Sequence, residues 1–191
     1  MSKLNNNFES FLKGHLVDLI VLDNNVIETT NWYRWLNDEE ATSNMQKHYF
    51  PNTMDLQKKF FENNIEESHD KLQLGIYQKD IKLLTGVISL SDINYINRTT
   101  EIAVFIGEKK GRNLNCFNES VTLLLRHAFN TLNLNRVYSG SFVKEIDTLF
   151  CRTLGFTHEG ISREAVFKNG NYHDVYHHSL LKEEFLERDS S

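Results

Sequence analysis

Residues 107–129 read GEKKGRNLNCFNESVTLLLRHAF, a strand end, then a basic loop, then an amphipathic helix. Lys109, Lys110 and Arg112 place three cations just ahead of the helix start. A helix start offers unsatisfied backbone N–H groups and the positive end of the helix dipole, so the combination suits an anion, a pyrophosphate above all. The same three cations also read as a solvated charge run. A loop that touches phosphate ordinarily uses glycine, and here Asn115 and Phe117 stand at those places. Asn enters the left-handed region more readily than most residues, so Asn115 is expected to take that conformation. Phe117 falls in register with Val121, Leu124, Leu125, Ala128 and Phe129, which predicts that its ring turns into the core. His173, His177 and His178 invite a metal, but in a strand His173 and His177 would stand about 13 Å apart. No metal is expected. Cys116 and Cys151 have neither metal spacing nor a disulfide framework, which fits a reducing, cytoplasmic setting.

The elements around this loop belong to a chain of 191 residues, 40% hydrophobic and 25% charged. That suits one globular domain. A net charge of −5 argues against nucleic acid as a partner, and no apolar run reaches the length of a membrane span. Residues 1–13 are expected to be frayed, 14–185 to form the single domain and 186–191 a tail. HLVDLIVL (15–22) reads as a strand. TTNWYRWLND offers a threonine N-cap and a helical face of Trp32, Trp35 and Leu36, and Thr53 is expected to cap a helix with the stripe Leu56, Phe60 and Ile65. KLQLGIYQ and KLLTGVISL flank a KD turn, and TEIAVFIG (100–107) follows as a third strand. NRVYSGSF (135–142) is another strand. A short helix then carries Ile146, Leu149, Phe150 and Leu154 and ends at Gly155, and a hairpin turns at Asn169-Gly170. The pattern predicts a mixed sheet with helices on both faces.

EIAVFIGE, LLLRHAFNTLNLNRVY, LGFTHEGISREAVFKNGNYHDVY and WYRWLNDEEAT, in this order and spacing, resemble the GNAT superfamily of acyl-CoA N-acyltransferases. The resemblance is to the branch of ribosomal-protein N-terminal acetyltransferases and bacterial amino-sugar acetyltransferases. It implies an α/β (α+β) GNAT fold, with a mostly antiparallel sheet that splays into a V between the family's strands 4 and 5, here TEIAVFIG and RVYSGSF. It also implies acetyl-CoA as co-substrate. The pantetheine would pair with the backbone of Val104, Phe105 and Ile106 as an added strand. The pyrophosphate would sit on Lys109 and on Arg112, Asn113, Leu114, Asn115, Cys116 and Phe117, where the family pattern is Arg or Gln, two residues, Gly, one residue, Gly or Ala. Of these Arg112 matches, and both glycine positions depart from the pattern.

Lys144 and Cys151 stand where the family often has an Asn on the cofactor and a Tyr that protonates the CoA thiolate. A thiol of ordinary pKa, about 8.5, can do the same in principle; a small packing residue is the other reading of Cys151. Glu101 is the family-like base for the acceptor amine, or else a strand-start carboxylate. The resemblance puts Trp35, His48, Tyr49, Phe50 and Tyr138 on the acceptor side, the aromatic pair beside His48 suiting core packing as well, and gives Asp174 a role in ordering the hairpin or orienting the acceptor. The implied reaction is direct attack of an amine on the thioester, the acceptor being a nucleotide-linked amino sugar of the surface-polysaccharide type or else a peptide N-terminus. Homodimerisation stays open, as does an alternative in which a catalytically eroded GNAT fold serves as a binding or complex-forming protein.

Overall fold

The computed structural model describes residues 8–45 and 49–189. Eight strands form one sheet: β1 (Ser10–Lys13), β2 (Val17–Val21), β3 (Leu72–Gln78), β4 (Leu83–Asn94), β5 (Thr99–Ile106), β6 (Arg136–Ser141), β7 (Thr157–Lys168) and β8 (Asn171–Leu181). Their order is β1-β2-β3-β4-β5-β6-β8-β7, and every neighbouring pair is antiparallel except β5–β6. Helices α1 (Asn24–Thr29), α2 (Trp32–Trp35) and α3 (Met54–Phe61) precede β3; α4 (Leu114–Arg126) joins β5 to β6, α5 (Lys144–Leu149) joins β6 to β7, and α6 (Lys182–Asp189) closes the chain.

Apolar residues on alternate strand positions divide between two cores. Ile88, Leu90, Ile102, Val137 and Leu180 pack with Val121, Leu124, Leu125 and Phe129 of the α4 segment. Ile20, Leu22 and Val87 pack on the other face with Val26, Ile27, Trp32, Trp35 and Phe61 of α1–α3. Helices therefore cover both faces, as the sequence predicts. The hairpin turn also falls where expected, with Asn169 at φ 50° and Gly170 at φ 81°, the left-handed pair that a two-residue turn of this kind requires.

The ends are more ordered than expected. Ser10–Lys13 is not frayed: it pairs with β2, and the Ser10 hydroxyl donates to Asp18 Oδ2 at 3.1 Å. The Glu119 carboxylate of α4 accepts the N–H groups of His15, Leu16 and Val17 at 2.7, 2.7 and 2.8 Å, fixing the β1–β2 turn to the helix. At the other end α6 runs through most of the expected tail, held by Phe185 against Phe129 and by an Arg126–Asp189 ion pair of 2.6 Å.

Two helices differ from expectation. The first starts at Asn24, because the Asp23 carboxylate accepts the Val26 N–H at 2.7 Å, and Thr30 is its C-cap rather than the cap of a longer helix. In α3 Thr53 does cap the helix, but Gln57 and Phe61 are the buried residues while Leu56 and Phe60 are 49% and 38% exposed. Gln57 is held inside by a bond from Asn52 Nδ2 to its Oε1 at 2.8 Å. Among the described residues no helix is long and apolar enough to cross a membrane.

Candidate active site

Strands β5 and β6 pair over three residues, Thr99–Arg136, Thr100–Val137 and Glu101–Tyr138, and then part. Beyond that point β5 stays paired with β4 as far as Ile106 while β6 follows β8 out to Ser141. Among the described residues, the edge of β5 over residues 102–106 is therefore left without a strand on its β6 side. A strand edge of this kind is a template for an extended ligand. Val104 and Ile106 turn their side chains to the α4 core, and Phe105 packs edge-on against Trp35 at 5.9 Å.

Glu101 and Tyr138 face each other at the apex of the opening. Burial is the main cause that raises the Glu101 pKa above its ordinary value, with the negative charge of Asp92 adding to it and His177 opposing. Asp92 comes close because β4 bulges between Ser91 and Asn94, with Asp92 at φ 51°. Tyr138 is raised too, by burial first and by Glu101 second. Arg136 lies 5.7 Å from the centre of the Tyr138 ring, where its charge opposes the rise, while both its terminal nitrogens bind Glu159 at 2.6 Å. His177 lies across from Gly140 and bonds through Nε2 to the Ser162 hydroxyl at 2.8 Å. Asp174 accepts the N–H of Glu164 at 2.8 Å, holding the irregular stretch of β7 where Glu164 sits at φ 50°.

The loop after β5 is rigidly built. A side chain at Gly107 would stand 2.0 Å from the Trp35 ring, so only glycine lets that ring pack there; the indole N–H donates to Glu108 Oε1 at 3.0 Å. Gln78 Nε2 donates to the Gly111 carbonyl at 2.6 Å from beneath. Arg112 and Lys109 both meet Glu40, at 2.9 and 3.1 Å. This pair, with Asn31, Trp35, Asp38, Ala41 and Glu108 among the lining residues, borders a cavity of about 340 Å³.

The helix start departs from expectation. Asn115 is the second residue of α4, outside the left-handed region, because α4 begins at Leu114 with Asn113 as its cap. Asn113 Oδ1 accepts the N–H groups of Asn115 and Cys116 at 2.9 and 3.3 Å, two of the donors a phosphate would use. Phe117 does turn inward, its ring edge-on to Phe150 at 5.9 Å.

The remaining predicted residues scatter. Lys144 is exposed at the first turn of α5. Cys151 packs on the α4 core with its thiol 4.0 Å from Asp147 Oδ1, and burial, then the Asp147 charge, push its pKa up. Cys116 is buried in the same core. Trp35 is buried rather than offered to a ligand, so its place is a wall. Tyr49 and Phe50 are 61% and 87% exposed, and His48 lies outside the described residues. His173 contacts Phe142, and His178 is buried with Nδ1 at 3.0 Å from Asp147 Oδ1. Among the described residues no group of three His, Cys, Asp or Glu is arranged to hold a metal. Glu40, Asp92 and Asp147 were not singled out in the sequence, since their roles depend on partners distant in the chain or on a bulge.

Residues 26–145 match the family described as Acetyltransferase (GNAT) domain. The Bacillus subtilis (strain 168) protein named "Putative ribosomal N-acetyltransferase YdaF" is 34% identical over 53% of this chain, which spans 56% of that relative's length. The spermidine N(1)-acetyltransferase of Vibrio cholerae serotype O1 is 30% identical over 63% of this chain and 70% of its own. A Vibrio cholerae spermidine N-acetyltransferase, solved with CoA and spermine, superposes with a TM-score of 0.78 at 22% identity, over 90% of this chain and 98% of that one. Microcin C7 self immunity acetyltransferase MccE, solved with acetyl-CoA and AMP, gives a TM-score of 0.75 at 21% identity, over 88% of this chain and 93% of that one. The matched segment carries α2, the β5 edge, the basic loop and α4 together, and the chain belongs to the GNAT acetyltransferase family.

Proposed function

We propose that the protein is an acetyl-CoA-dependent N-acetyltransferase with Glu101 as general base. The observation that carries this reading is a desolvated carboxylate at the point where β5 and β6 part. The family's co-substrate, acetyl-CoA, fits the residues beside it. The free edge of β5 suits the amides of a pantetheine arm, and Lys109 and Arg112 suit its phosphates once Glu40 is displaced. The Asn113 carboxamide can give up the Asn115 and Cys116 N–H groups to a phosphate oxygen without moving the helix.

In the reaction the acceptor nitrogen bonds to the thioester carbonyl carbon and the carbon–sulfur bond breaks. Glu101 takes one proton from the acceptor ammonium, directly or through water, so that the neutral amine attacks, and the second proton the nitrogen loses passes through solvent to the departing thiolate. A raised pKa makes Glu101 the stronger base. Cys151 stays protonated, but its recorded contacts are with Asp147 and the core, so we assign it packing and leave the thiolate to solvent.

The acceptor is an amine that arrives charged. Glu101 and Asp92 together favour a small aliphatic polyamine, with several cationic nitrogens, over an amino sugar carried on an anionic nucleotide; the naming of one relative as a spermidine acetyltransferase agrees. A nucleotide-linked amino sugar and a peptide N-terminus are the other acceptors to compare. The reading places the protein in the cytoplasm, where both cysteines remain free thiols. The test is release of CoA thiol from acetyl-CoA with each acceptor class in turn. Turnover with an amine supports the proposal. Absence of turnover with all three classes, at saturating donor, contradicts it and favours a binding protein.

A further inference from the structure

Lys168, the last residue of β7, has its ammonium inside the protein, the whole residue being 8% exposed. A buried charge is costly unless it is fully bonded. Lys168 is bonded to carbonyls rather than to a carboxylate: Nζ donates to Thr42 O at 2.6 Å and to Met45 O, and it lies 5.8 Å from the centre of the Phe142 ring. Its own carbonyl is 3.3 Å from His173 Nε2, so the lysine is also tied back into the hairpin.

The carbonyls it takes end a small turn structure. Thr42 N–H donates to Asp38 O, Met45 N–H donates to Thr42 O, and Ala41 N–H donates to the Asp38 carboxylate, all at 3.0 or 3.1 Å. A cation at the carbonyl end of such turns is placed as the last turn of a helix would want it. The same residues 38–45 carry Glu40, which pairs with Lys109 and Arg112 on the other side of the opening. One short segment thus has an exposed attachment to the basic loop and a buried attachment to the β7–β8 hairpin. Between the segment and the hairpin lies a second cavity of about 270 Å³, lined by Glu39, Thr42, Ser43, Tyr49, Phe167 and Lys168 among others.

The two attachments are physically unequal. The Glu40 pairs are in water, where ion pairs are weak and exchange readily. The Lys168 bonds are screened from water and charge-assisted, so they hold the segment in one place. We propose that Lys168 is a positioning residue for acceptor binding, clamping residues 38–45 as a wall facing the hairpin while the Glu40 end is free to yield to donor phosphates. This rests on the proposed acetyltransferase function, with the acceptor on the side of Tyr49, which lines the same cavity as Lys168. Removing the ammonium then loosens the wall and weakens acceptor binding without weakening donor binding.

The test uses the full chain with Lys168→Met, which keeps length and loses the donors, and Lys168→Arg, which keeps a cation able to donate to both carbonyls. Hydrogen exchange read by mass spectrometry should show protection lost over residues 38–45 in Lys168→Met and retained in Lys168→Arg. Donor affinity should not weaken in either variant, and any gain in Lys168→Met should stay within the roughly two- to fivefold that freeing Lys109 and Arg112 from Glu40 allows. The KM for whichever amine is turned over should rise roughly tenfold or more in Lys168→Met, the scale for losing bonds to a charged group, with kcat changed less and with recovery in Lys168→Arg. Unchanged exchange over residues 38–45, an equal loss of donor affinity, or a Lys168→Met protein that does not fold at all would each overturn the proposal. The exchange and donor measurements need no turnover, so an absence of acetyltransferase activity would refute the function without deciding this inference.

Discussion

Phe117→Gly asks whether the aromatic ring at the helix start supports the fold or blocks the phosphate site. The ring is half-buried, packs on the α4 core and meets Phe150 edge-on at 5.9 Å with the planes at 80°. A fully buried aromatic costs about 3–5 kcal/mol on truncation. Half that, about 2 kcal/mol, is the share for a half-buried one, and it includes an aromatic pair of about 0.5–1.5 kcal/mol. Glycine inside the first turns of α4 adds about 1 kcal/mol. The expected loss is therefore about 3 kcal/mol, visible in urea as a lower midpoint and on heating as a fall of roughly 6–12 °C for a chain this size. Because the Phe117 N–H bonds to Asn113 O within the helix, the backbone path at the loop should persist. Calorimetric titration at a temperature where the variant is folded should give acetyl-CoA affinity close to that of the parent protein. A tenfold gain, about 1.4 kcal/mol, would refute the reasoning: the ring would have been filling the cradle, and the eroded, non-catalytic reading would lead.

Glu101→Gln should lower kcat by roughly 10²- to 10⁴-fold with donor affinity nearly unchanged. It should also remove the acid limb of the rate profile, where the parent loses activity as pH falls through a Glu101 pKa raised mainly by burial; an unchanged rate would assign the base elsewhere. Glu40→Gln frees Lys109 and Arg112 and should tighten acetyl-CoA by roughly two- to fivefold, the range for exposed ion pairs, whereas weaker binding would mean that Glu40 orders the site instead. His178 has its pKa lowered, chiefly by burial, with the Asp147 bond opposing. The unfolded chain then binds the extra proton first, so this stability is complete above the ordinary histidine pKa of about 6.5 and is lost as pH falls below it. Urea midpoints at neutral and mildly acidic pH should show that loss, and His178→Asn should flatten it.

What the sequence disclosed was local. The α4 pattern from Val121 to Phe129, the Thr53 cap, the Asn169-Gly170 turn and the helix end at Gly155, φ 81°, each depend on neighbours a few residues away. Leu56 and Phe60 misled because periodicity marks an apolar face without saying that the core will choose Gln57, which Asn52 satisfies. Asn115 misled for a related reason: Asn113 was an equally good cap and started the helix before Asn115 could adopt a left-handed turn. The opening between β5 and β6 was reachable only through family resemblance, because where two parallel strands part is set by the sheet and not by either strand's composition. Glu40, Asp92 and Lys168 were illegible because their partners lie far off in the chain or follow from a bulge.

The donor site carries everything else in this account, and titrating the purified protein with acetyl-CoA by calorimetry tests it most directly. The expected result is one site with affinity in the micromolar range and thermal protection of about 2.7 kcal/mol at a hundredfold excess over the dissociation constant. No binding heat and no protection at millimolar acetyl-CoA would contradict it.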